Sequence, residues 1–283
     1  SAQDVRIAAH RLAWGKWTHC GQSCVAPDYV LVHRDVQAKL LREIRRVYRE
    51  FYRIDQDADI VDEGGDDISS SSDFGRIVNV RHCDRLALLL RETKGRIVLG
   101  GRVRVADKYV APTIVLLEDA NDPLMEEELL GPILPVICYD TLQEAVDVVN
   151  SRGAPLALYV FASNTRAADF VISRTQSGGV CVNDTGVHVA APTLPFGGTG
   201  ASGYGYLHGR AGFDELSHLR GVLRRKLRDE AVFGVRYPPF TRGKVNVMRH
   251  AWRSGPGQSP LMHVLGTTRA FLQYQLGQGA SAL

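Results

Sequence analysis

The first part of the chain alternates between helical and strand patterns. Apolar residues at helical spacing predict an opening helix with one apolar face, formed by Val5, Ala8, Ala9 and Leu12. After a polar turn, the apolar, β-branched run of residues 29–32 predicts a short strand. A long helix is expected from Asp35, its predicted N-cap, and its apolar stripe consists of Val36, Leu40, Ile44, Val47 and Phe51.

The middle of the chain predicts an α/β fold. Residues 77–91 have the pattern of a helix, and the runs 96–99 and 102–105 flank a Gly-Gly pair, which is typical of a β-hairpin. Further strands are predicted at 109–117, 133–139, 156–161 and 179–182, with helices at 141–150 and 165–174. Thr141 and Glu144 form a capping box at the start of the first of these helices. Because strands and helices alternate with short links, we predict parallel βαβ units, with the sheet between layers of helices.

Polar segments divide the chain into a main domain and an extension. Residues 55–73 are acidic and then serine-rich, which predicts a solvated loop inserted into a domain of residues 1–217. Residues 218–225 have a basic strand pattern. Residues 226–283 form a C-terminal extension, in which 265–276 predicts a short amphipathic helix.

Composition narrows the class of protein. The chain is 45% hydrophobic and 23% charged, which is ordinary for a globular protein, and its net charge of +3 does not indicate nucleic-acid binding. Five cysteines, an odd number in a chain too long to need disulfides for its stability, favour an intracellular, reducing compartment. No apolar run approaches the ~18 residues of a membrane span, and the start lacks a signal-peptide pattern. Because the opening helix has no lead-in, we expect an N-terminal portion that is missing, cleaved off or carried by another polypeptide.

Cys20 and Cys24 lie four residues apart in the polar turn after the opening helix. Zinc is disfavoured because structural zinc sites usually combine two close pairs of ligands, and a disulfide is disfavoured in a reducing compartment. Cys24 lies among small and polar residues, where a substrate could reach its thiolate. The residues alone leave both a nucleophile and an idle cysteine possible, and composition favours the idle one.

The stretch 198–203 matches the dinucleotide-binding pattern G-x-G-x-x-G, but its surroundings do not fit. The residues before it are not a buried strand, and residues 223–225 supply no acidic side chain at the required distance. We therefore interpret these glycines as a loop in which backbone segments approach closely.

Five segments, in order, resemble class 3 aldehyde dehydrogenases. The cysteine segment is WGKWTHCGQSCVAPDYVLVH at 14–33, and the cofactor segment is PLMEEELLGPILPV at 123–136. The other three are SGGVCVND at 177–184, LPFGGTGASGYGYLHGRAGFDELSH at 194–218 and RYPPF at 236–240. The resemblance implies an aldehyde dehydrogenase catalytic domain in residues 1–217. It also implies that 218–225 is an oligomerisation strand, which would pair with the sheet of a partner subunit.

The resemblance also implies roles for single residues. Cys24 matches the nucleophile, which adds to an aldehyde, passes a hydride to NAD(P)⁺ and retains a thioester that water hydrolyses. Glu128 matches the glutamate that binds the nicotinamide-side ribose, and Leu130 stands where the family has a phenylalanine against the cofactor. Phe196 matches a position at the substrate end. No metal site is implied.

The family's phosphate-binding loop, general base and oxyanion asparagine do not occur before Cys24. Our first hypothesis is therefore the catalytic half of an NAD(P)-dependent aldehyde dehydrogenase, completed by a separate or missing N-terminal half. The alternative is an inactive, family-derived structural subunit of a larger assembly. A third is a zinc or redox protein that uses Cys20 and Cys24. The first two imply a homo- or hetero-oligomer without nucleic acid or a membrane span.

Overall fold

A computed structural model of the chain describes residues 2–54, 68–227, 233–252 and 260–279. The chain separates into two compact units, residues 1–218 and 219–283. The predicted domain of residues 1–217, the strand 218–225 and the extension 226–283 stay predictions, as do the roles assigned to them.

Strands of the first unit form three sheets within the described residues. They are β1 (Val30–His33), β2 (Arg96–Leu99), β3 (Val103–Arg104), β4 (Tyr109–Val110), β5 (Thr113–Leu117), β6 (Ile133–Tyr139), β7 (Ala157–Val160) and β8 (Gly179–Val182). The largest sheet has the order β1-β6-β5-β2, with β6 parallel to both β1 and β5, and β2 antiparallel to β5. β7 and β8 form a parallel pair, and β3 and β4 an antiparallel one.

Helices accompany these strands in the predicted order. They are α1 (Ala2–Trp17), α2 (Arg34–Tyr52), α3 (Val80–Glu92), α4 (Leu142–Asn150), α5 (Thr165–Ile172) and α6 (Gly209–Glu215). The predicted α/β class with a parallel core is confirmed. The predicted cap of α2 is wrong, because the ring of His33, not the side chain of Asp35, accepts a hydrogen bond from the Asp35 N–H at 3.3 Å.

The core lies around β5 and β6, the two central strands of the largest sheet. Both are almost entirely buried, as expected for parallel strands covered on both faces. The largest fully buried apolar side chains belong to Ile44, Tyr48, Ile77, Leu86, Tyr109, Ile114, Leu124, Leu129, Ile133 and Leu134. These come from strands, helices and loops of one unit, so the site described below rests on a single core.

The predicted hairpin around Gly100 and Gly101 is wrong. β2 pairs with β5 and β3 pairs with β4. The glycines therefore connect strands of two different sheets instead of two strands that pair with each other. Both have positive φ, 77° and 86°, and a Cβ on Gly100 would lie 2.0 Å from the Pro112 carbonyl oxygen. The glycines are needed because the backbone turns here and approaches a neighbouring segment closely.

Two predicted segments differ from expectation. Residues 55–67 of the acidic insertion lie outside the described residues; of the remainder, Ile68 is 4% exposed and belongs to the core, whereas Ser70, Ser72 and Asp73 are exposed. The apolar side chain of Ile68 packs with the core because burial removes it from water. Residues 218–225 have no regular secondary structure in this single chain, so their pairing with a partner stays a prediction.

The second unit contains α7 (Arg242–Trp252) and α8 (Pro260–Gly279). The two helices contact each other through Gly243, where a Cβ would lie 2.8 Å from the Tyr274 ring. The predicted helix at 265–276 is therefore confirmed as part of a longer one. Among the helices that the structure describes, none combines the length and apolar character needed to cross a membrane.

Candidate functional site

Cys24 lies in the turn between α1 and β1, and its side chain is exposed. It lines a cavity of about 1400 Å³ that also contacts Glu128, Asp28 and Tyr159. The turn is held from two sides. The Ala26 N–H donates to the Ser23 carbonyl at 3.0 Å, and the Tyr159 hydroxyl donates to the Val25 carbonyl at 2.7 Å. The thiol thus stands on a fixed backbone and is open to a ligand.

Cys20, by contrast, is buried and 2% exposed. Burial raises the pKa of its thiol to about 11, against the opposing effects of Arg76 and the Gly75 backbone. Both Cys20 and Cys24 have free thiols, so the structure forms no disulfide between them. Within the described ranges, no three His, Cys, Asp or Glu side chains are grouped as metal ligands. The structure therefore separates the two cysteines into an inert thiol and an accessible one.

The cysteine turn touches the segment that carries Glu128. Gly21 has φ of +70°, and a Cβ there would lie 2.2 Å from the Gly131 carbonyl oxygen. In addition, the Leu129 N–H donates to the Asp28 carboxylate at 3.2 Å. Backbone contact and a side-chain hydrogen bond therefore join the nucleophile candidate to the cofactor candidate. Sequence reasoning assigned no role to Gly21 or Asp28.

The segment 126–131 is anchored on its other side by α3. Leu130 has a left-handed backbone, φ 45°, which is strained for a leucine, and its carbonyl accepts a hydrogen bond from His82 Nε2 at 2.8 Å. The Arg85 guanidinium donates to the Leu129 carbonyl. Glu128 lines the cavity, whereas Leu130 is not among its lining residues. These contacts hold the backbone of the segment that places Glu128 at the cavity.

A buried lysine lies beneath the two carboxylates. Lys16 is 0% exposed, and its Nζ is 3.8 Å from Asp28 Oδ1. Burial lowers the pKa of Lys16 to about 8, although the charges of Asp28 and Glu128 oppose this. Burial also raises the pKa of Glu128, assisted by Asp28 and opposed by Lys16. The charge of Lys16 thus favours the ionised form of Glu128.

Sequence reasoning missed Lys16, although a signal was present. It stands four residues after Leu12, on the stripe that also buries Ala9 and Ala13. A lysine on the apolar stripe of a helix is rarely fully buried unless charged groups face it.

Phe196 belongs to a row of rings beside the cavity but is not among its lining residues. Ring centroids are 5.7 Å apart for Tyr159 and His188, 6.0 Å for His188 and Phe196, and 6.0 Å for Phe196 and His208. His188 is buried, which lowers the pKa of its imidazole. Through Tyr159, which binds the Val25 carbonyl, the ring row connects Phe196 to the turn of Cys24.

The glycine loop fits the interpretation as a close backbone approach. A Cβ on Gly197 would lie 2.0 Å from the Gly205 carbonyl oxygen, and one on Gly198 would lie 2.1 Å from that of Ser202. No buried strand directly precedes the motif in the described chain, and the motif itself forms only the short 3-10 turn Gly200–Ser202. The loop therefore lacks the strand–turn–helix context of a dinucleotide-binding motif.

Known proteins of one family resemble this chain in sequence and in structure. The aldehyde dehydrogenase family matches residues 1–222. The chain is 42% identical to mouse aldehyde dehydrogenase family 3 member A2 over 243 residues, which cover 86% of this chain and 47% of the relative. It is 39% identical to 4,4'-diaponeurosporen-aldehyde dehydrogenase of Staphylococcus aureus over 246 residues, 87% of this chain and 50% of that one.

A solved structure is similar over the same extent. The substrate-bound state of Staphylococcus aureus AldH superposes with a TM-score of 0.69 at 37% sequence identity, covering 87% of this chain and 50% of that one. The chain therefore spans about half the length of these relatives.

Proposed function

Because the chain belongs to the aldehyde dehydrogenase family and resembles its class 3 members, we propose that it is the catalytic portion of an NAD(P)-dependent aldehyde dehydrogenase. The enzyme would oxidise an aldehyde to a carboxylic acid. One observation carries the proposal: the exposed thiol of Cys24 and the carboxylate of Glu128 line the same cavity. A separate N-terminal portion would complete the enzyme, in keeping with the half-length match to its relatives.

Cys24 acts as the nucleophile in this proposal. Its thiolate adds to the aldehyde carbon, which forms a C–S bond and places negative charge on the former carbonyl oxygen. The Cys24 backbone N–H contributes a hydrogen bond to that oxygen. After oxidation, the acyl group stays on the sulfur as a thioester until water releases the acid. The hydrogen bonds at Val25 and Ala26 support this role because they hold the turn in one conformation.

Glu128 would hold the cofactor. A carboxylate can accept hydrogen bonds from both hydroxyl groups of a ribose, so an exposed Glu128 at the cavity fits the nicotinamide-side ribose of NAD(P)⁺. When bound, NAD(P)⁺ supplies the hydride acceptor. The charge of Lys16 favours the ionised form of Glu128 for this contact, because it opposes the burial and the Asp28 charge that raise the pKa of Glu128. The backbone of Leu130 would shape the side of the cavity that binds the cofactor, and Phe196 would close the end that binds the aldehyde.

Purification of the tagged chain from its source cells tests this proposal. Native mass spectrometry is expected to detect a second polypeptide that supplies the N-terminal portion. The assembly is expected to oxidise aldehydes with NAD⁺ or NADP⁺. Cys24→Ser removes this activity, whereas the control Cys181→Ser, which changes a half-buried thiol outside the cavity lining, retains it.

One outcome favours the alternative function. If the assembly oxidises no aldehyde and neither nucleotide changes its melting temperature, the chain is a structural subunit instead. In that case the Cys24→Ser variant still assembles normally, and the half-length match reflects descent from an enzyme.

We further propose that residues 218–225 pair with a partner subunit. Leu219, Val222 and Leu223 are 91%, 65% and 85% exposed, an apolar surface that pairing would cover. Size-exclusion chromatography with light scattering tests this: Leu223→Asp is expected to yield a smaller species. The control is Arg220→Asp, which adds the same side chain without removing an apolar one.

A further inference from the structure

The serine run of residues 69–72 forms a turn between two buried side chains. Ile68 before it is 4% exposed and Phe74 after it is 5% exposed, so the core holds both ends of the turn. Within the turn, the Ser71 N–H donates to the Ile68 carbonyl at 2.9 Å. Ser70 is exposed, and its hydroxyl makes no hydrogen bond with the part of the chain that the structure describes. An anchored backbone therefore presents the Ser70 hydroxyl to solvent.

The charges around this turn match the substrates of acid-directed protein kinases. Such kinases bind a carboxylate a few residues after the serine that receives the phosphate. Asp73 stands three residues after Ser70, and the sequence has no lysine or arginine between Arg53 and Arg76. The serine run, to which the aldehyde dehydrogenase motifs assign no role, thus has the charge pattern of a kinase substrate at Ser70.

A guanidinium lies beside Ser70. Arg76 donates to the Ser69 carbonyl, whose oxygen the peptide geometry places within about 3 Å of the Ser70 Cα. Arg76 also donates to the Gly75 carbonyl at 3.0 Å, and its guanidinium lies 5.2 Å from the centre of the Tyr109 ring. Among the described residues, its contacts are thus carbonyls and a ring, none of which balances its charge. A phosphate on Ser70 would be within reach of this guanidinium, which can form two parallel hydrogen bonds with phosphate oxygens.

Arg76 also belongs to the segment that holds the cysteine turn. Gln22, two residues before Cys24, donates from its side-chain amide to the Arg76 carbonyl at 3.0 Å. The side-chain oxygen of Gln22 accepts a hydrogen bond from the Val78 N–H at 2.8 Å. A contact that fixes Arg76 would therefore also restrain the backbone that binds Gln22.

We propose that Ser70 is a phosphorylation site and that its phosphate binds Arg76, which stiffens the segment 74–78 against the cysteine turn. In the transfer, the Ser70 hydroxyl oxygen forms a bond to the γ-phosphorus of ATP and the bond from that phosphorus to the β–γ bridging oxygen breaks. ADP leaves, and the hydroxyl proton passes to a base of the kinase. A phosphate that faces an arginine orders a loop through charge-assisted hydrogen bonds. The modification itself does not depend on catalysis, whereas its use in controlling Cys24 rests on the proposed function.

Treatment of the 283-residue chain with an acid-directed serine kinase and ATP tests the site. Peptide mapping by mass spectrometry is expected to place the phosphate on Ser70. Ser70→Ala should remove it, whereas Ser72→Ala should keep it. Asp73→Asn should slow the transfer about tenfold, because it removes the carboxylate that the kinase binds. No phosphate, phosphate on other serines only, or an unchanged rate in Asp73→Asn overturns the proposed site.

The Ser70→phosphoserine chain tests the contact with Arg76. Hydrogen exchange in residues 74–78, measured by mass spectrometry, is expected to slow about tenfold relative to the unmodified chain. Exchange in residues 113–117, which already pair on both edges, stays unchanged. The second pKa of the phosphate, ordinarily about 6, should fall because the Arg76 charge favours the dianion, and phosphorus-31 NMR measures this pKa.

Two controls isolate the role of Arg76. Ser72→phosphoserine adds the same charge at an exposed position of the same turn that Arg76 does not contact in the described chain. It should neither slow the exchange of 74–78 nor lower the pKa of its phosphate. Arg76→Gln, which keeps an amide donor but removes the charge, should abolish both effects of Ser70→phosphoserine.

Equal protection in the two phosphorylated chains, or no change of either readout in Ser70→phosphoserine, overturns the contact with Arg76. Neither readout requires aldehyde oxidation. Failure of the aldehyde assay would therefore leave both as they are, so the two proposals fail separately.

Discussion

Lys16 allows a test of the electrostatics at the site. The change Lys16→Met keeps an unbranched side chain of similar length in the core but removes the buried charge. In the folded protein the pKa of Lys16 is lowered from 10.5 to about 8, chiefly by burial. The unfolded chain therefore holds this proton more strongly than the folded one, so folding with a charged Lys16 is costly at neutral pH.

The magnitude follows from the shift. One pKa unit corresponds to about 1.4 kcal/mol, so lowering the pKa of Lys16 from 10.5 to about 8 costs about 3 kcal/mol where the lysine is protonated in both states. As the pH rises from 8 to 10.5, the folded protein loses this proton before the unfolded chain does, and the cost disappears. The free energy of unfolding of the wild-type chain should therefore rise by about 3 kcal/mol relative to Lys16→Met over this range.

Urea unfolding of the two proteins in steps between these pH values measures the effect. Both proteins contain the same tyrosines, cysteines and other lysines. The contributions of these groups therefore cancel when one unfolding free energy is subtracted from the other. The control is Lys94→Met, which removes an exposed lysine and should not reproduce the change seen with Lys16→Met. A difference that stays constant between pH 8 and 10.5 would refute the assignment of a buried, charged Lys16.

Three further experiments test the site. Iodoacetamide should alkylate exposed Cys24 well before Cys20, because the latter is buried and its pKa is raised to about 11; peptide mapping after timed exposure measures the order. Tyr159→Phe should cost about 1 kcal/mol of unfolding free energy, the value of the lost hydrogen bond to Val25, as measured by urea denaturation. Gly21→Ala should lower the melting temperature strongly, since its φ is +70° and a Cβ would meet the Gly131 carbonyl at 2.2 Å.

Each of these three experiments has a control variant or an outcome that would contradict it. Alkylation at Cys20 as fast as at Cys24 would contradict the burial of Cys20. Tyr29→Phe is the control for Tyr159→Phe, because Tyr29 also lines the cavity. An equal loss of unfolding free energy in both variants would contradict a stabilising role of the hydrogen bond from Tyr159 to the Val25 carbonyl. Gly234→Ala, where no atom lies within 4 Å of the added Cβ, should leave the melting temperature unchanged.

Local patterns predicted the elements between 133 and 182 well. β6 and β8 have the predicted bounds. At the start of α4, the Thr141 hydroxyl accepts a hydrogen bond from the Glu144 N–H at 3.3 Å, as the capping box indicates. These features depend on residues a few positions apart, so the sequence contains their full cause.

Features that depend on distant partners were predicted less well. The run 96–99 has the pattern of a hairpin strand, but its pairing is decided by β5, which offers a longer buried partner. Lys16 is buried beside Asp28 and Glu128, and the fold brings Glu128 there from a different segment. The cysteine segment and the cofactor segment were both located from the sequence, whereas the contacts that join them required the structure.

The contact between Gly21 and Gly131, together with the bond from the Leu129 N–H to Asp28, sets the spacing of Cys24 and Glu128 within one polypeptide. In the two-part enzyme proposed above, the alignment of the nucleophile with the cofactor-binding carboxylate would then be inherited with this portion alone. Changes in the second portion would leave that alignment in place.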